Sequence, residues 1–202
     1  MENKAEKFWN DFLKIKDDLM DIDSLNEEKS EQLLLKLDRQ LKQYSQGIDF
    51  ILGDISEHGR TLTLTANGDE DFFDDVITLA ENAPVMDFWN ICTFMPAEGK
   101  NQTMESDGVK LSSDDLYFLP MESNELNDKI GLKIAGKNLV NNDDNLNCAY
   151  LLCEKMIGEY NCAVMIRYFE ITELPSDYEE KGFLPLNYLP DFTEWKIERN
   201  KA

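Results

Sequence analysis

The sequence predicts an α+β fold: an N-terminal antiparallel helical hairpin, then two ββαβ units that form a mixed or mainly antiparallel sheet with helices mainly on one face. Three observations carry this expectation. Apolar residues recur at helical spacing through residues 1–46, the period changes to two at Ile48, and the order strand, strand, helix, strand then occurs twice.

In residues 1–46, Phe8, Phe12, Ile15, Leu19 and Ile22 recur at alternating spacings of four and three, opposite a charged face. Ser24 followed by Glu27 has the form of a capping box, and Leu34, Leu37, Leu41 and Tyr44 continue a second apolar stripe until Gly47. The short link between the stripes predicts antiparallel helices over about 4–21 and 26–45, with Phe8, Phe12, Leu34, Leu37 and Leu41 facing inward.

Residues 48–96 read as the first ββαβ unit. Ile48-Asp49-Phe50-Ile51-Leu52 and Thr61-Leu62-Thr63-Leu64-Thr65 are rich in β-favouring residues, and Glu57-His58-Gly59 supplies the hairpin between them. Asn67-Gly68 ends the second strand. Phe72, Phe73, Val76, Ile77, Leu79 and Ala80 mark a helix that stops before Pro84, and Phe88-Trp89-Asn90-Ile91-Cys92-Thr93-Phe94 is the closing strand. Residues 97–115 are polar and read as a connector. The second unit, 116–171, has strands at 116–121 and 129–135, a helix at 146–157 and a strand at 163–171, either in one sheet with the first unit or in a small sheet of its own. Gly158-Glu159-Tyr160 reads as that helix's C-cap. Pro175, Pro185 and Pro190 predict a loop-rich tail over 172–202.

A chain of 202 residues suits a single domain, 1–202, with a core of its own. Its 11 Phe, 7 Tyr and 3 Trp set it apart from the aromatic-poor acidic chains that stay disordered. Charge narrows the partners. With 41 Asp and Glu against 20 Lys and Arg, the formal net charge of −21 repels phosphate backbones and anionic lipid, so neither nucleic acid nor membrane is an expected partner. No apolar run approaches the ~18 residues of a membrane span, and the N-terminus lacks the basic start of an export signal, which places the protein in the cytoplasm. Cys92, Cys148, Cys153 and Cys162 show no CxxC spacing and read as buried free thiols.

No motif carries recognisable catalysis. His58 is the sole histidine and reads as a turn residue; no nucleophile elbow or family-type cysteine signature accompanies it. Asp69, Glu70, Asp71, Asp74, Asp75, Asp143 and Asp144 form short acidic runs, yet none continues in the alternating ligand pattern of a calcium loop. Each run precedes or opens a helix, where a carboxylate is worth about 0.3–1 kcal/mol against the macrodipole, so helix starts explain them better than a metal. Gly68, Gly131 and Gly136 assemble into no phosphate-binding loop. No cofactor or metal is expected.

Several short pieces look familiar together: Phe8-Trp9, Gly47-Ile48-Asp49-Phe50, Ala66-Asn67-Gly68, Ala83-Pro84 with Phe88-Trp89, Ile157-Gly158-Glu159-Tyr160 and the stretch 186–190. They resemble a family of bacterial cytosolic proteins whose domain has no assigned function. The resemblance implies a bacterial setting, of the kind in which small acidic immunity proteins act, and brings no catalytic residues. The expected function is therefore a non-enzymatic acidic protein-binding module whose partner is a basic protein, such as a toxin or effector. The seven acids of the runs are its candidate partner-binding residues. The alternative is an enzyme whose site is built from dispersed carboxylates.

Overall fold

The first helix starts where its orphan amides find an acceptor: the Asn3 side chain receives the Ala5 N–H at 3.2 Å, and α1 (Lys4–Phe12) follows. This is seen in a computed structural model that describes residues 3–121 and 129–201. The chain divides into two compact units, Met1–Met95 and Pro96–Ala202. Among the described residues it is mixed α+β, with sheets of three, two and four strands.

In the first unit the expected helix over 4–21 is broken. After α1 the Ile15 N–H bonds the Phe12 carbonyl at 2.9 Å, a tightened turn that keeps Phe12, Ile15 and Leu19 all buried before α2 (Lys16–Met20) resumes. A 3-10 turn, Ile22–Ser24, leads to α3 (Glu27–Tyr44). The capping box expected at Ser24 does not form. Asn26 is the N-cap, taking the Lys29 N–H at 3.0 Å, while the Ser24 hydroxyl donates to the Asp21 carbonyl. α1 packs on α3. Of the five residues expected to face inward, Phe8, Phe12, Leu37 and Leu41 are buried, but Leu34 is only half-buried.

The sheet of this unit has the order β1 (Asp49–Leu52), β2 (Arg60–Thr65), β3 (Trp89–Thr93), with β1 antiparallel and β3 parallel to β2. A parallel return needs a crossover, and α4 (Phe73–Glu81) lies between β2 and β3 in the chain. Phe8, Trp9, Phe12 and Trp89 form an aromatic cluster, with Trp9 Nε1 donating to the Leu79 carbonyl at 2.8 Å. Arg60 is buried at the start of β2, where its guanidinium donates to the Gly53 carbonyl and pairs with Asp23. β3 is bracketed by two left-handed phenylalanines, Phe88 and Phe94, both at φ 61°. Such a backbone is unusual for a bulky residue. Hydrogen bonds hold it: the Arg60 N–H reaches the Phe88 carbonyl at 2.9 Å, and the Phe94 N–H reaches the Leu64 carbonyl at 2.8 Å.

The second unit opens with a hairpin where a connector was expected. β4 (Thr103–Ser106) and β5 (Val109–Ser112) pair antiparallel across Asp107-Gly108, at φ 52° and 77°, the backbone that a two-residue primed turn requires. β6 (Leu116–Met121) and β7 (Ile130–Gly136) pair antiparallel, and β8 (Ile166–Glu173) runs parallel to β7. Between them come α5 (Asp143–Ile157) and α6 (Glu159–Met165), so 163–165, expected as strand, is helical. Gly158 serves both helices: its φ of 85° and ψ of 151°, a region almost confined to glycine, ends one and starts the other. The tail is not loop-rich. β9 (Leu184–Pro185) adds to β6, and α7 (Leu189–Lys201) carries Pro190 in its first turn, where the missing N–H costs nothing. The core gathers Phe118, Leu132, Ile134, Leu152, Met156 and Leu189 around α5 and the sheet.

Candidate functional site

The acidic runs stand at helix starts. Asp69 takes the Asp71 N–H at 3.1 Å and so caps the 3-10 turn Glu70–Phe72, and Asp74 and Asp75 occupy the first turn of α4. Asp143 and Asp144 fill the first turn of α5, whose N-cap is Asn142, accepting from the Asn145 N–H at 2.8 Å. Six of the seven are exposed, and Asp75 is half-buried. The first five belong to one unit and the last two to the other. Many of the cations are held by other acids: Lys14 by Asp11, Lys42 by Asp49, Lys100 by Asp191, Lys133 by Glu170 and Lys181 by Asp177. Such surface pairs add little stability.

His58 sits in the turn closed by the Ser56–Gly59 bridge, exposed and 3.6 Å from Glu57. Its backbone N–H donates to the Ser56 hydroxyl at 3.2 Å. Cys148, Cys153 and Cys162 are buried, and Cys92 is half-buried; all four are free. Burial pushes the Cys153 thiol well up and Cys162 to about 12, the opposite of an activated thiolate. Among the described residues no group of three or more His, Cys, Asp or Glu could hold a metal ion, and no helix is long and apolar enough to cross a membrane.

Two carboxylates of the second unit do interact. Glu154, near the end of α5, has its carboxyl raised above the ordinary range first by burial and then by the charge of Glu159, which begins α6 and is fully buried. A raised acid binds its proton more readily in the folded chain than in the unfolded one. Its contribution is thus fully present below the unfolded value of about 4.3 and is lost as pH rises through the raised folded value. Glu154→Gln is expected to remove that dependence. The urea midpoint of the variant should exceed wild type near neutral pH and match it near pH ~4; equal midpoints throughout would show that Glu154 is not strained by its surroundings.

The feature that sequence reasoning missed lies in the first unit. A groove of about 650 Å³ is lined by Leu34, Leu35 and Phe50 together with Glu27, Glu31 and Asp38. Leu35 is 45% exposed. Asp49 also lines it, but bonds from Lys42 Nζ at 2.5 Å and Asn67 Nδ2 at 2.6 Å hold its carboxyl below the usual range, so it is already paired. The signal was present in Leu33-Leu34-Leu35, a run wider than the stripe that α3 needs to pack on α1.

Comparison of the chain with protein-family models, with curated proteins and with solved structures finds no match.

Proposed function

We propose that the protein is a non-enzymatic acidic binding module whose partner is a basic protein. The observation that supports this is the placement of the acids: a chain with a formal net charge of −21 displays Asp69, Glu70, Asp71, Asp74, Asp143 and Asp144 at exposed helix starts. A field of this sign accelerates encounter with cationic partners and suppresses anionic ones. The proposal extends to the arrangement expected from the sequence, an N-terminal antiparallel helical hairpin ahead of two ββαβ units. It extends also to the setting that the resemblance implies, a bacterial cytoplasmic immunity protein that neutralises a basic toxin or effector.

The test is kinetic. A partner captured by the wild-type protein should associate at least about tenfold more slowly as salt rises from low to high ionic strength, with dissociation changing much less, because salt screens the approach over a Debye length of ~8 Å while packed contacts control escape. Changing Asp69, Glu70, Asp71, Asp74 and Asp75 to Lys, or separately Asp143 and Asp144, should lower the association rate unequally, since the two sets belong to different units. A partner whose association ignores salt and both sets would overturn the proposal. Turnover of a substrate by the isolated protein would instead favour an enzyme built from dispersed carboxylates.

A further inference from the structure

We propose that the groove along α3 is the docking site for a cationic amphipathic helix of a protein partner, its apolar stripe covering Leu34, Leu35 and Phe50 and its Lys or Arg side chains meeting Glu27, Glu31 and Asp38. The proposal rests on the reading of the protein as a binder of basic partners, and it names the surface and the shape of what binds.

Helix geometry brings these residues together. At about 100° per residue, positions 27, 31, 34, 35 and 38 fall within an arc of roughly 100°, and they extend about 16 Å along the axis, three turns. One face of α3 therefore carries a pair of leucines flanked by acidic side chains. Lys29 and Lys36 point roughly 150° or more away from the middle of that arc, while Lys42, which falls within it one turn further on, is paired with Asp49. Phe50 of β1 adds an aromatic wall. The core accounts for Leu37 and Leu41, both fully buried, but not for Leu35 at 45% exposure or for half-buried Leu34. A surface that leaves apolar side chains wet gains by covering them, and the carboxylates among those side chains select the charge of the cover. A helix laid in such a groove would present its own apolar anchors at spacings of three, four and seven.

The probe is a synthetic peptide of about 18 residues, long enough for several turns. It is composed of Leu and Lys with the leucines on one face and carries a fluorescent label; the control has the same composition with the leucines scattered. Anisotropy at physiological ionic strength should show the amphipathic peptide binding wild type. Leu35→Ser and the pair Glu27→Lys with Glu31→Lys should each weaken it by about tenfold or more, a typical loss at an interface anchor. All three positions are exposed, so circular dichroism should report an unchanged fold. Failure of the amphipathic peptide to bind, equal binding of the two peptides, or indifference to Leu35→Ser would overturn the groove. Each of these outcomes leaves the broader reading standing if a native partner still responds to salt and to the acids at the starts of α4 and α5. A native partner indifferent to salt would remove that reading even if the peptide seats on α3.

Discussion

Phe12→Ala is expected to lower the stability of the first unit by about 3–5 kcal/mol, the range found when a buried aromatic is cut back to a methyl group. Phe12 has no solvent exposure, and its ring centroid lies 5.5 Å from that of Trp9 and 5.1 Å from that of Trp89, each edge-on. Truncation leaves a cavity between α1 and β3 and removes three aromatic contacts, these two and the stacked one with Phe8 at 6.2 Å, each worth about 0.5–1.5 kcal/mol beyond the area buried. A domain's whole stability is about 5–15 kcal/mol, so much of the margin disappears. Urea unfolding followed by the fluorescence of Trp9 and Trp89 should shift its midpoint down by roughly 2 M, given slopes of about 1–3 kcal/mol per M. A midpoint within error of wild type would take Phe12 out of the core.

Gly59→Ala should be nearly as damaging, for a reason that involves no cavity. Gly59 has a φ of +98°, and a methyl group there would stand 1.9 Å from the Phe88 carbonyl oxygen and 2.4 Å from its carbon. These are backbone atoms, with no rotamer to yield. Relief would displace the Phe88 carbonyl, which receives the Arg60 N–H at 2.9 Å, and loosen the first register pair of β2 and β3, Arg60 with Trp89. A strained backbone of about 1–3 kcal/mol and a lost hydrogen bond of about 1 kcal/mol add to roughly 3 kcal/mol. At about 4–8 °C per kcal/mol for a unit of this size, the melting temperature should fall by more than about 10 °C. A fall of a degree or two would mean that the strands part more easily here than the contacts indicate.

The parts of the fold legible in the sequence are those whose side-chain spacing matches the period of the element. β2 alternates Thr and Leu, and α3 repeats Leu at helical spacing, so each announces its type. What escaped had its signal in the backbone. The β4–β5 hairpin has only Met104, Val109 and Leu111 as apolar residues in two four-residue strands, and its clearest cue is the positive-φ turn dipeptide Asp107-Gly108. α7 was hidden by Pro190, which reads as a breaker unless it falls in a first turn. α6 was hidden by Gly158, whose role as a stop concealed that a helix restarts one residue later. For the candidate site, the acids at helix starts could be read from their neighbours. For the groove, the Leu33-Leu34-Leu35 run marks surplus apolar side chains but does not say whether a second layer covers them; that depends on how β1 lies against α3.

The buried thiols of the second unit also make it a clock. Cys148, Cys153 and Cys162 are shielded within it, and burial raises the pKa of each, so an alkylating reagent in solution finds almost no thiolate until the unit opens. When reclosing is fast, labelling proceeds at the intrinsic rate multiplied by the open fraction, as amide exchange does. Cys92, half-buried in the other unit, is the internal reference. Mass increments counted over time thus resolve the opening equilibrium of 96–202 in the native protein, with no denaturant and no engineered label.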